Sequence, residues 1–541
     1  MSAKKKHPDK IIHTQIEQEI IDKNISSKFV WIITFLFFSV SFFGILHHEM
    51  WRDELQSWLV AKDAHSIAEL FKNSTYEGHP MGWYLLLFFV NIFTSSPFAM
   101  QILNVLIGTA FIFLFVKHSG FSLLQSVLFV FGYYTLFEFT QIARSYNLEL
   151  LLLASFCVLY KNAPKNMWPI FVSLILLANT SAFGLLFAIC LGTLFYVDMV
   201  FNISNKFNSN ISTKKIVAVS FLFLIGIIFS IIQIKPEQGN LVSTEISSLL
   251  DFERLETIIS RVYNSFFLLP DISLLPHWNF SGTMRLDSQN VPLYFIFSCF
   301  IIICTSLIFY RKPLLLFFYL TIITGIIILC DITFLLSVRY VGRIFIAYIF
   351  ILWIAKYFPE YHFKNSINRF FAISGKKIQS VFLLIVLSFQ LVAGILYYYN
   401  DFKLPFSGSQ EIAHFIRQQH LDTIPIVGSQ DYAVSPLSAL LDKNIFYPES
   451  KSFGSFIIWD NQLRKHQNPD FDIVFASVDS VLGNNHQQAL LILNALPSGP
   501  EGKLEHAFIT PTIKLDLIHQ SENAIVADEY YYLYLATKVK Q

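Results

Sequence analysis

Long apolar runs, separated by short polar breaks, recur from about residue 29 to about residue 398 and then stop. They fall at roughly 29–47, 81–95, 99–116, 122–137, 146–160, 168–182, 184–200, 216–234, 291–309, 313–330, 333–356 and 378–398. A helix needs about 20 predominantly apolar residues to cross a bilayer. The pattern therefore predicts an all-α polytopic membrane protein. The run at 81–95, MGWYLLLFFVNIFTS, follows Pro80 directly and is short for a span. If it lies in the outer interface, Lys117, Lys161 with Lys165, the stretch from Lys206 to Lys215, Arg311 with Lys312 and the Lys356–Lys377 cluster share one face. The excess of basic residues makes that face cytoplasmic. If all twelve runs span, Lys161 and Lys165 face outward, against the same rule.

The expected architecture has about 11 transmembrane helices. A cytoplasmic tail (1–28) precedes a helical module (29–234) whose first outer loop is 48–98. A second outer loop (235–290), further spans (291–400) and an outer domain (401–541) follow. The N-terminal MSAKKKHPDK has no small-residue cleavage site after it, so an uncleaved start-transfer helix with a cytoplasmic N-terminus is expected. After residue 401 the pattern changes. TIPIVGS, DIVFASV, IKLDLIHQ and AIVADEYYYLYLAT alternate or run rich in β-formers, while QEIAHFIRQQH and QQALLILNAL look helical. A small α/β domain is expected, with GSQDYAVSPLSALL as a strand-to-helix turn. Asp431, Tyr432 and Trp459 are read there as structural.

Composition sharpens this reading. Charged residues are 14% of the 541-residue chain, against about a quarter in soluble proteins, and mean hydropathy is +0.52. A net charge of +1 argues against a nucleic-acid partner. Cys157, Cys190, Cys299, Cys304 and Cys330 all lie in apolar segments, so neither disulfides nor a CxxC metal knot is expected.

Candidate chemistry collects on the expected outer face. In MWRDELQSWLVA, Trp51, Leu55, Trp58 and Leu59 share one helix face, which predicts an interfacial helix over Met50–Ala61. Asp53 and Glu54 fall off that face. One of them could act as a general base on an acceptor hydroxyl, or the pair could ligate a divalent cation beside a leaving phosphate. Adjacent acids repel, so one is expected to titrate high. The bland alternative is a solvated interfacial pair. His79, in EGHP, belongs to the same loop. Arg144 and Tyr146, in ARSYNLELLLL, sit at the mouth of a span, with Glu138 as the nearest neutralising partner. Arg339 and Arg343, in VRYVGRIFIAY, stack on one helix face within an apolar span. Such residues need an anion, either a lipid phosphate held in bidentate fashion or a structural partner such as Asp331.

Taken together, these motifs make the chain similar to the GT-C membrane glycosyltransferases of the protein O-mannosyltransferase and aminoarabinose-transferase type. The matching pieces are RDELQSWLVA, HPMGWYLLL, ARSYNLELLLL and VRYVGRIFIAYIFILWIA, within about 50–360. Members carry an acidic catalytic motif in the first outer loop and open an interfacial helix with H-P-P or K-P-P; Met81 stands here at the second proline. Over nearly its whole length the chain also resembles a set of bacterial multi-pass membrane proteins, through MWRDE, EGHP, ARSY, ANTS and the tail pattern YPE with FGSF and WD.

The resemblance implies a polyprenyl-phosphate sugar as donor. It also implies transfer to a glycan, lipid or protein acceptor on the outer face of the bacterial cytoplasmic membrane. It makes Asp53 the base or metal-facing acid, with Glu54 in support, and sets Arg339 and Arg343 on the carrier phosphate, where a second arginine would suit a pyrophosphate. No cofactor is required by the sequence, although a divalent metal would be compatible. Two other classes compete: a lipid or glycan flippase, and a non-catalytic envelope assembly protein. A flippase needs charged or broken helices near the bilayer midplane, in matching halves.

Overall fold

The computed structural model describes residues 25–207, 211–235, 251–268, 278, 291–333, 337–361, 366–483, 486–496, 498–499, 502–503 and 507–539. Most of the expected N-terminal tail and of the 235–290 loop lies outside these residues. The described part of that loop holds two short helices, Phe252–Ser260 and Val262–Phe266.

Among the described residues, 8 helices are long and apolar enough to cross a membrane. They are Ser27–Ile45, Phe98–His118, Ala182–Phe201, Thr213–Ile234, Val291–Ile308, Pro313–Thr333, Val338–Ala355 and Ser374–Lys403. Tyr146–Tyr160 and Met167–Ala178 are apolar but shorter. The run at 122–137 is not one helix. Leu123–Val130 ends, and a π-helix, Tyr133–Glu138, follows Gly132. Two observations account for the break. A Cβ on Gly394 would come within 2.8 Å of the Phe131 carbonyl oxygen, so the last long helix approaches this backbone closely. The Thr135 hydroxyl, meanwhile, lies within hydrogen-bond reach of the Phe129, Val130 and Gly132 carbonyls at the break.

The 81–95 run forms only the 10-residue helix Gly82–Asn91. At 1.5 Å per residue that is about 15 Å, half a bilayer core. Its start is pinned: Gly82 N–H donates to the Asn179 carbonyl at 3.0 Å, and Met81 N–H to Gln233 Oε1 at 2.8 Å. A Cβ on Gly82 would stand 2.2 Å from the Asn179 oxygen. Gly82→Ala is therefore expected to cost about 1–3 kcal/mol, read as a lower unfolding midpoint in detergent. An unchanged midpoint would mean that this junction yields freely.

The tail forms a 7-stranded sheet in the order β3-β2-β1-β4-β9-β8-β7. The strands are β1 (Ile426–Ser429), β2 (Ile445–Tyr447), β3 (Ser452–Gly454), β4 (Gln488–Leu493), β7 (Ala507–Ile509), β8 (Ile513–Gln520) and β9 (Tyr532–Lys538). β5 (Ser498–Gly499) and β6 (Gly502–Lys503) pair separately. β1 lies parallel to β2 and β4, and β9 lies antiparallel to β4.

Two tail expectations reverse. DIVFASV is not a strand but part of the helix Phe471–Leu482, capped by Asp470, whose side chain accepts the Ile473 N–H. Its buried Val474, Val478 and Leu482 mark a helical face. QQALLILNAL is not a helix but contains β4. Leu490 and Ile492 enter one core cluster, while Ala489, Leu491 and Leu493 enter the other. A central strand buried on both faces shows no alternation, so its period misleads.

Candidate functional site

The interfacial helix runs over Arg52–Lys62, with Leu55, Trp58 and Leu59 buried beneath it. Its first turn presents Asp53 to two cations from distant spans. Arg339 Nη2 donates to Asp53 Oδ2 at 3.2 Å, and Arg144 Nη1 lies 3.8 Å from the same oxygen. Arg144 also donates to the Asp53 main-chain carbonyl. Burial works against the Asp53 charge, but Arg144, then Arg339 and Arg52, outweigh it and hold the carboxyl below its usual range. Asp53 is therefore not the acid of the pair that titrates high: guanidinium groups dominate around it.

Arg339 is the centre of the arrangement. Its guanidinium lies 5.1 Å from the Trp51 ring, 5.2 Å from Trp278 and 5.0 Å from Tyr340. Nε and Nη1 are buried and find no hydrogen-bond partner among the described residues. Unpaired buried donors are costly, and a planar guanidinium with two of them matches an oxyanion. Trp278 in turn donates Nε1–H to Glu138 Oε2 at 3.0 Å, and Tyr133 donates to the same oxygen at 2.5 Å. Glu138 is therefore not the partner of Arg144.

Arg343 does not join this site. Its Nε and Nη2 donate to Glu149 at 3.2 and 3.3 Å, and Nη1 donates to the Arg339 carbonyl at 2.8 Å. Ser181 donates to the same Glu149 carboxylate at 3.0 Å. The Tyr146 ring lies 4.8 Å from the Arg343 guanidinium, so Tyr146 packs on this structural pair. Asp331, the other candidate partner, pairs with Arg254 at 2.9 Å. Arg343, expected beside Arg339 on a carrier phosphate, thus has its three guanidinium nitrogens engaged by Glu149 and the Arg339 carbonyl.

Glu54 is turned away from Asp53, because successive helical residues point about 100° apart. It is fully buried and engaged. Oε1 accepts the Ala143 N–H at 2.6 Å, and Oε2 accepts the Trp51 N–H and lies 3.2 Å from His48 Nε2. His48 Nδ1 meets Asp401 at 2.9 Å. Burial opposes the His48 charge, yet Asp401 and Glu54 raise its pKa to about 10. Glu54 thus ties the helix start to the ARSY turn and to the end of the last long helix. The carboxylates of Asp53 and Glu54 thus have separate sets of partners. Among the described residues, no group of three or more His, Cys, Asp or Glu is arranged to hold a metal.

The EGHP loop closes the other side. A small cavity is lined by Ser57, His79, Pro80, Trp83, Tyr84, Arg144, Ser145 and Thr180. His79 Nδ1 and Trp83 Nε1 are buried without a hydrogen-bond partner among the described residues. Burial, and next Arg144, lower the His79 pKa to about 3, so this imidazole is neutral. Glu77, which sequence reasoning passed over, accepts from Gln56 Nε2 at 2.7 Å and from the Tyr84 hydroxyl at 3.1 Å. Burial raises its pKa to about 7. The signal for Glu77 was present in the EGHP tetrad. For Glu149 it was the i,i+3 spacing from Tyr146. Trp278 offered none.

The fold is that of a polytopic helical membrane protein with an α/β tail domain, and Arg339 and Arg144 meet Asp53 beside it. No family model matches the chain, and no curated protein matches its sequence. Solved structures of similar course include ArnT from Cupriavidus metallidurans bound to undecaprenyl phosphate, at 10% identity and a TM-score of 0.49. The apo state of the same protein matches at 11% identity and a TM-score of 0.49. Each comparison covers 94% of this chain and 98% of that one.

Proposed function

We propose that this chain is a membrane glycosyltransferase that moves a sugar from a polyprenyl-phosphate donor to an acceptor hydroxyl on the outer face of the cytoplasmic membrane. The observation that carries this reading is Arg339: a buried guanidinium framed by Trp51, Trp278 and Tyr340, with two nitrogens unpartnered among the described residues and the Asp53 carboxylate 3.2 Å away. Arg339 takes the carrier phosphate, with Arg144 behind it. Asp53 accepts the acceptor proton as the acceptor oxygen bonds to the sugar carbon. The bond from that carbon to the phosphate oxygen breaks, and the carrier phosphate leaves with its charge on Arg339.

An apolar groove supports a lipid carrier. It has a volume of about 520 Å³ and runs between the first and last long helices, lined by Val40, Phe43, Phe131, Leu136, Ile395 and Phe402. Leu136 lies two residues before Glu138, which holds Trp278 against Arg339. The groove wall is thus linked through Glu138 and Trp278 to Arg339.

Mass spectrometry of co-purifying lipids tests the reading. The wild-type chain is expected to retain a polyprenyl-phosphate sugar that Arg339→Ala loses. Bulk phospholipid alone in both preparations would sink the donor assignment and raise the flippase and assembly readings.

A further inference from the structure

The tail motif FGSFIIWD had no chemistry assigned to it by sequence. In the structure it grips the loop that carries Glu77 and His79. Gln56 stands between the two. Its Nε2 donates to Glu77 Oε1 at 2.7 Å and to the Ile457 carbonyl at 2.8 Å, while its Oε1 accepts the Ile457 N–H at 3.0 Å. Tail backbone holds both ends of the amide, and the second N–H of Nε2 is aimed at a carboxylate of the site. A second tie lies beside Glu77: Tyr76 hydrogen-bonds the Asp460 carboxylate and is the main influence holding it below its usual range. Ser455 donates to Asp63 at the far end of the interfacial helix. Phe456 packs against the core cluster of Leu55, Trp58, Trp83 and Tyr84. At the start of that helix, Arg52 meets Asp528 at 2.5 Å, and its N–H donates to Glu529 at 3.0 Å.

We infer that the tail domain is a working part of the site: its 453–460 segment, acting through Gln56 as a positioning residue, determines where the Glu77 carboxylate stands relative to Arg144 and Asp53. The inference rests on the glycosyl-transfer reading for its consequence, but not for the contact itself. Other groups facing Glu77 are Tyr84 on the Gly82–Asn91 helix, Arg144 on the ARSY turn and Asp53 on the interfacial helix. After burial, which raises the Glu77 pKa, the Gln56 hydrogen bond is the largest influence lowering it. Removing the amide therefore disfavours the ionised form. The charge beside Arg144 then appears only at higher pH, and an anionic ligand keeps its affinity further into the alkaline range.

The test uses the full chain in detergent, with Gln56→Leu and, on the tail alone, Asp460→Ala. Hydrogen exchange is followed in peptides covering 74–80 and 453–460. Binding of a synthetic polyprenyl monophosphate is followed by tryptophan fluorescence from pH 5.5 to 9. The expected result is faster exchange in both peptides for each variant. In wild type, affinity falls as pH passes about 7, and in Gln56→Leu that break moves upward by about one pH unit, the size of one charge-assisted hydrogen bond. Asp460→Ala moves it in the same direction by less. Exchange confined to the mutated segment overturns the clamp. Faster exchange in both peptides with an unmoved break overturns the role of the tail in the site, leaving a merely structural contact. If wild type does not bind the monophosphate at all, the glycosyl-transfer reading fails, while the exchange data still decide whether the clamp exists.

Discussion

Asp53→Asn is expected to purify folded and to lower sugar transfer by about a thousandfold, within the range that a positioned general base contributes. The substitution keeps the main-chain carbonyl to which Arg144 donates, so the helix start stays anchored. What it removes is the charge shared by Arg339 and Arg144. The Asp53 side chain is 30% exposed, so the stability cost is expected to be small, on the order of 1 kcal/mol. The measurement is transfer from the co-purified lipid donor, alongside an unfolding midpoint. A variant that transfers normally would remove Asp53 from the mechanism. One that loses its lipid as completely as Arg339→Ala would make Asp53 a holder of the arginine and not a base.

The second large effect is on stability, at the Arg343–Glu149 pair. Both side chains are almost fully buried, at 2% and 3% exposure. Glu149→Leu leaves the guanidinium in an apolar span with its charge uncompensated, and Arg343→Met does the same to the carboxylate. Each is expected to cost about 3–5 kcal/mol. The double variant Arg343→Met/Glu149→Leu is expected to recover most of this, because neither charge remains to be compensated. Unfolding midpoints of the four proteins form the cycle. Additive losses would show that the pair does not act as a unit. The double variant also bears on function: retained lipid and transfer fit a structural Arg343, whereas loss of lipid from a protein of normal stability would return Arg343 to the phosphate.

Much of the site was legible in the chain because it rests on rare residue types in an apolar background. An ionisable residue in or beside a span is conspicuous, and Asp53, His79, Arg144 and Arg339 each stood out for that reason. The partners were harder to read. Arg339 and Arg343 look equivalent at i and i+4, yet one is stacked on indoles with free donors and the other is neutralised by Glu149. Asp53 and Glu54 are neighbours in the chain, yet helical geometry sends one to the arginines and the other to Ala143 and His48. In the tail, β4 read as a helix because a strand buried on both faces loses its alternation.

Hydrophobic period and charge distribution by themselves determined the helical membrane class, the shortness of the run after Pro80 and the change of character at the α/β tail. These are properties of segments, set by the free energy of moving each one from water into lipid, and such a sum is additive along the chain. Which carboxylate meets which guanidinium was decided only by the tertiary structure, as was the grip of the tail on Glu77 through Gln56. These contacts join residues far apart in sequence, such as Asp53 with Arg339 and Gln56 with Ile457. Their strength depends on distance, angle and burial, and no local property of a segment specifies those.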